Sequence, residues 1–148
     1  MLIGRYDGKI SAKFQAAFPK KFRETLGDKL IVTKGFEQAL MVIPETNWKE
    51  VLQDVEAQSV TAASGRETKR FLLGGAAFVE LDGKGRFILP EHVRVFGELK
   101  EDIVFIGQET YVEIWDKNRW EAYNKDLAGR IEVVVEKLNS SARKEAHE

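Results

Sequence analysis

Apolar residues along the chain come mostly in short runs cut off by glycine or proline, and the longest stretch at helical spacing lies in the last third. Met1-Leu2-Ile3-Gly4-Arg5-Tyr6 predicts a short strand, with a turn at Asp7-Gly8-Lys9. Ile10 to Phe18 then runs up to Pro19, which reads as the first position of a helix, where its missing N–H costs nothing. That helix continues through Lys20-Lys21-Phe22-Arg23-Glu24-Thr25-Leu26 and closes at Gly27. Lys29–Thr33 and Ala39–Ile43 predict a hairpin, ended by Pro44. Trp48, Val51, Leu52 and Val55 recur at the spacing of one helix face. Gln58 to Ala63 reads as a connection. Ser64-Gly65-Arg66-Glu67 has capping-box spacing and opens a further helix, with Phe71, Leu72 and Leu73 inward and Gly74-Gly75 at its end.

The same order then recurs. Residues 76–81 and 86–89 predict two strands joined by Asp82-Gly83-Lys84-Gly85-Arg86, a hairpin loop by its glycines and aspartate. Pro90 to Phe96 is a short helix closed by Gly97, and 102–106 with 111–115 form another hairpin. Asp116 is placed to cap a helix carrying Trp120, Tyr123 and Leu127. Ile131, Val134, Val135 and Leu138 extend its stripe, and the polar stretch from about Asn139 predicts fraying. Pro19 aligns with Pro90 at an offset of 71, which also matches Phe22 with Val93 and Arg23 with Arg94. A one-residue shift then matches Leu40-Met41-Val42-Ile43 with Val112-Glu113-Ile114-Trp115, and Trp48 with Trp120. The chain is a duplication, with halves at 1–75 and 76–148. The matched tryptophans predict equivalent packing sites.

Charge sharpens this picture. The net charge of −1 hides a basic first segment, where Arg5, Lys9, Lys13, Lys20, Lys21 and Arg23 face Asp7 alone. Lys20, Lys21 and Arg23 sit at a helix start, which dipole stabilisation alone would not choose; they suit an anionic partner or a solvated face equally. The 148 residues suffice for one compact domain or two small intertwined ones. Absence of cysteine excludes disulfides and thiolate chemistry and fits a reducing cytoplasm. The N-terminus lacks the pattern of a signal peptide, and no apolar run is long enough to span a bilayer. No phosphate-cradling glycine loop, nucleophile motif or metal spacing is present, so neither catalysis nor a cofactor or metal is expected.

The opening loop of the second half carries more charge than a turn requires. Arginine is planar, always charged, and able to grip a phosphate or the O6 and N7 of guanine. A carboxylate beside it fixes its direction. Asp82 is therefore expected to position Arg86 for DNA, and Lys84 to add a phosphate contact blind to sequence. The plain alternative is a hairpin closed by an exposed ion pair. At the repeat offset, Ser11 replaces Asp82 and Gln15 replaces Arg86, while Lys13 matches Lys84. Gln15 can hydrogen-bond a phosphate or an adenine edge without charge, and Lys9, Lys13 and Arg5 can still supply it. The second loop is expected to dominate.

The chain resembles the MraZ family. The resemblance rests on Leu2-Ile3-Gly4-Arg5-Tyr6, Pro19-Lys20-Lys21-Phe22-Arg23 and Gly35-Phe36-Glu37 in the first half. In the second it rests on Asp82-Gly83-Lys84-Gly85-Arg86, Ile106-Gly107-Gln108 and Val112-Glu113-Ile114-Trp115-Asp116. The family's marker, an acid and an arginine four residues apart, is met by Asp82 and Arg86 and departed from at Ser11 and Gln15. The resemblance implies an α+β fold of two SpoVT/AbrB-like halves, short strands and small helices intertwined into one compact unit. It also implies a transcription regulator in the bacterial cytoplasm, at the nucleoid. Its partners would be double-stranded promoter DNA, carrying G-rich direct repeats upstream of the division and cell-wall gene cluster, and further copies of itself in a ring. The competing class is an oligomeric structural or protein-binding module whose DNA binding has weakened.

Overall fold

The computed structural model describes residues 1–53 and 61–147. It divides into two compact units, Met1–Lys117 and a second beginning at Asn118.

The first unit is built on a six-stranded antiparallel sheet and a two-stranded ribbon. Its strands are β1 (Arg5–Lys9), β2 (Gln15–Ala17), β3 (Lys29–Lys34), β4 (Leu40–Pro44), β5 (Ala77–Glu80), β6 (Arg86–Ile88), β7 (Asp102–Gly107) and β8 (Val112–Asp116). Helices α1 (Lys20–Leu26), α2 (Trp48–Val51), α3 (Ala63–Gly74) and α4 (Glu91–Phe96) lie between them. The sheet runs β1-β7-β8-β4-β3-β5 and the ribbon pairs β2 with β6.

This order is a palindrome of the repeat. The hairpins β3–β4 and β7–β8 meet through β4 and β8, and each half's first strand joins the hairpin of the other half. Met41 pairs with Glu113 between β4 and β8, and Ala16 pairs with Phe87 in the ribbon. Both pairs join residues that the repeat makes equivalent, so a pseudo-dyad passes through the two points. Burial follows from that exchange. Leu30, Val32, Leu40, Val42, Ile103, Phe105, Val112 and Ile114 face Phe18, Phe22, Phe87, Leu89 and Val93 in one core. The Phe18 ring lies 5.0 Å from both Phe87 and Phe105, centroid to centroid. On the opposite face, the buried Thr33 hydroxyl donates to the Leu72 carbonyl at 2.5 Å and ties α3 to the sheet.

Several expectations change. Asp7-Gly8-Lys9 is not a turn but the body of β1, paired with Ile103 and its neighbours on β7. The strand predicted from Met1 starts only at Arg5. Local turn chemistry lost to a distant partner here, because a Cβ on Gly8 would stand 2.6 Å from the Phe105 ring and only glycine admits that approach. The loop at Asp82 does not join a hairpin either: β5 pairs with β3 and β6 with β2. Those distant pairings place Phe87 against Phe18, which adjacency in the chain could not. Pro19 and Pro90 are N-caps with extended ψ, one position before their helices begin. The capping box at Ser64 does not form; α3 starts at Ala63, and the Ser64 carbonyl accepts the Thr68 hydroxyl instead. Leu73 is exposed while Leu72 is buried. On the stripe read from Trp48, Leu52 is buried, and Val55 lies outside the described residues. Trp115 is buried, whereas Trp48 and Trp120, which the repeat matches with each other, are half-buried.

The second unit is the remainder of α5 (Lys117–His147), a helix that continues through the polar stretch predicted to fray. Arg130 bonds Asp126 at 2.7 Å one turn away, and Ile131, Val133, Val135 and Leu138 are exposed. No helix among the described residues is long and apolar enough to cross a membrane.

Candidate nucleic-acid interface

The Asp82–Arg86 loop is folded around one carboxylate. Asp82 Oδ1 accepts the backbone N–H groups of Lys84 and Arg86, both at 2.9 Å. Its Oδ2 accepts Arg86 Nε at 2.7 Å. The backbone closes the turn, with Gly85 N–H donating to the Asp82 carbonyl and Asp82 N–H to the Arg86 carbonyl. Gly85 turns the chain at φ +74°, a conformation that glycine takes without strain. The hydrogen bond from the Arg86 backbone, foremost, and then the Arg86 side chain hold the Asp82 carboxyl below the usual carboxylate range. It stays charged at neutral pH. Among the described residues the two terminal nitrogens of Arg86 have no protein partner, so the clasp aims the guanidinium and leaves its fork open.

The first-half loop has the same skeleton with a weaker anchor. Ser11 Oγ accepts the N–H groups of Lys13 at 3.3 Å and Gln15 at 3.2 Å. The backbone bonds of Ser11 and Phe14 repeat those of Asp82 and Gly85. A hydroxyl can hold those two amides but has no second oxygen for the side chain at Gln15. The substitution keeps the loop's shape and removes the device that aims its last residue.

The structure brings these two loops to opposite ends of one ribbon. Gln15 pairs with Ile88 and Arg86 with Ala17, so Gln15 and Arg86 are diagonal neighbours on the outward face, while Ala16 and Phe87 point inward. Lys13 and Lys84 are exposed at the loops and make no ion pair among the described residues. Arg5 and Lys9 stand elsewhere, on the edge strand β1. Arg5 bonds Asp7 at 3.3 Å, and Lys9 lies 3.6 Å from Asp102 and 3.9 Å from Glu101. Their charge is already partly matched by carboxylates.

One contact at the Asp82–Arg86 loop comes from a residue outside the expected site. The Arg23 side chain of α1 occupies the space beside Gly85. The matched arginines at 23 and 94 were the available signal, but charge at a helix start masked it. His92 also has a structural role, its Nε2 lying 2.9 Å from the Gly75 carbonyl. No group of acids and histidines that could hold a metal occurs among the described residues.

A family model described as "MraZ protein, putative antitoxin-like" matches residues 4–71 and again 72–133. The chain is 37% identical over 140 residues to the "Transcriptional regulator MraZ" of Caldanaerobacter subterraneus subsp. tengcongensis, covering 95% of this chain and 98% of that relative. The Heliobacterium modesticaldum protein of the same name is 38% identical over 93% of this chain and 96% of its own. That of Moorella thermoacetica is 37% identical with the same coverage. A duplicated α+β architecture, two matches of one family model and relatives that align from end to end agree that the chain belongs to the MraZ family, a family of transcriptional regulators and not of enzymes.

Proposed function

We propose that the chain regulates transcription by binding double-stranded promoter DNA through the β2–β6 ribbon and its two loops, with Arg86 as the principal contact. The observation that carries this reading is the Asp82 clasp: one carboxylate oxygen holds the loop backbone and the other holds Arg86 Nε, which aims a guanidinium whose fork stays open. An aimed fork suits the O6 and N7 of guanine or a phosphate, and a two-stranded ribbon fits the major groove. Lys84 and Lys13 add phosphate contacts, while Arg5 and Lys9 on β1 contribute charge from a distance. Gln15 contributes less, since nothing aims it.

The protein works as a homo-oligomeric ring on direct repeats upstream of the division and cell-wall gene cluster, in the cytoplasm at the nucleoid. Self-association is supported by the two open edges of the sheet, β1 and β5, and by Phe78, which is 79% exposed on β5 beside the exposed Leu73. Opposite edges meeting between copies make head-to-tail contacts, which form a ring when the rotation between copies closes. Loops repeated around a ring gain avidity on one duplex.

The test is binding of the intact oligomer to its own upstream duplex over a salt series. Affinity should fall steeply with salt. Arg86→Ala should weaken binding by about tenfold or more, and Gln15→Ala by much less. Equal losses would overturn the asymmetry. No loss from Arg86→Ala would overturn the site, and no binding at all would favour a protein-binding module.

A further inference from the structure

Two arginines outside the loops are placed alike. Arg23 lies on α1 and Arg94 on α4, at equivalent positions of the two halves. Each has a buried Nε with no hydrogen-bond partner, and neither makes an ion pair among the described residues. Glu24, Asp28 and Asp82 line the same groove as Arg23, and none of them pairs with it. A buried, unpartnered guanidinium nitrogen costs free energy and calls for a reason.

What each arginine touches supplies it. The Arg23 Cδ is the atom nearest the point where a Cβ on Gly85 would stand, and Nη1 and Nε lie 2.7 and 2.8 Å from it. The end of the Arg23 side chain, methylene and guanidinium together, fills the space that any side chain there would need. Arg94 sits with its Cζ 3.8 Å from the centre of the Phe14 ring, and Phe14 is the residue equivalent to Gly85. Both are the turning residues of their loops, at φ +61° and +74°. Each is also tied to the ribbon, Gly85 by its carbonyl to Phe18 N–H and Phe14 by its carbonyl to Leu89 N–H, both at 2.9 Å. The arrangement is crossed: each half's helix supports the other half's loop.

We infer that Arg23 is a positioning residue for the Asp82–Arg86 loop, reaching it from the opposite half and fixing the peptide that leads into Arg86. This rests on the reading of that loop as the DNA contact. Arg23 touches no DNA itself; it keeps Gly85, and with it the start of the Arg86 backbone, from shifting.

The test measures affinity of the full-length protein for its upstream duplex across a salt series. Arg23→Ala should weaken binding about fivefold with the slope of log affinity against log salt unchanged. Arg23→Lys, which keeps the charge and the Cδ but loses the flat fork, should bind more weakly than the parent. Gly85→Ala should cost more in the parent protein than in the Arg23→Ala background, where the added methyl finds room; the strain of its positive φ is common to both and cancels. Unchanged affinity in Arg23→Ala overturns the inference, as does full activity of Arg23→Lys or an equal cost of Gly85→Ala in both backgrounds. A slope reduced by about one phosphate also overturns it, because Arg23 would then be a direct contact. Should Arg23→Ala fail to fold, Arg23→Lys alone decides. Arg86→Ala is the control: no loss there removes the DNA reading, whereas loss there without loss in the Arg23 variants removes only the positioning role.

Discussion

Two carboxylates in this molecule are perturbed in opposite directions, and the reasons are local. Asp82 is exposed and surrounded by donors, and the Arg86 backbone bond, its largest influence, lowers its pKa. A lowered folded value means the clasp contributes fully above the ordinary carboxylate range and is lost only as pH falls through that lowered value. DNA affinity carried by Arg86 should therefore be flat from about pH 5 to about pH 8, and Asp82→Asn should reduce it several-fold across that window. A dependence centred near neutrality would refute the clasp. Glu113 is the reverse case. Burial pushes its pKa up, offset in part by the Trp115 and Gln108 hydrogen bonds, with Glu37 adding to the rise. Its contribution to stability is full below the ordinary carboxylate range and is lost as pH rises through the raised value. Thermal melts of Glu113→Gln should lose less stability between acid and neutral pH than the parent does.

Strands and turns were legible in unequal measure. The β3–β4 and β7–β8 hairpins follow directly from their β-branched runs, and Gly27 stands where a helix ends. Asp7-Gly8-Lys9 misleads because its composition is that of a turn, while its conformation is set by Phe105, nearly a hundred residues away. Gly8→Ala should consequently destabilise the fold by about 1–3 kcal/mol, read as a lowered denaturation midpoint, although alanine suits a strand no worse than glycine does. An unchanged midpoint would mean that the ring can move aside. The Asp82 loop was recognisable from its residues, as was its partner at Ser11. That its flanking strands pair with other strands was not, since a loop sequence specifies its own closure and says nothing of where its arms go. Thr33→Val offers a second probe of this level. It removes the side-chain tie from β3 to the α3 backbone and leaves the Leu72 carbonyl without that donor, at a cost of about 1–3 kcal/mol.

For the molecule as a whole, the repeat was visible as matched landmarks, but the exchange of first strands needed three dimensions. Neither half can complete its own sheet: β1 requires β7, and β5 requires β3. Residues 1–75 produced alone should not fold as a monomer, and should either remain unfolded or pair with a second copy through the same exchange. Gel filtration with circular dichroism distinguishes these, and a folded monomer would contradict the interdependence. The pseudo-dyad through Ala16–Phe87 and Met41–Glu113 relates backbones, not chemistry, because one loop ends in an aimed arginine and its mate in a glutamine. A molecule with a true twofold reads a site identically in either direction. This one has a front and a back, so under the proposed role it travels with a heading along the duplex, and neighbours in a head-to-tail ring all share it. Inverting a single repeat in its operator, with spacing and composition preserved, should then be as damaging as deleting it.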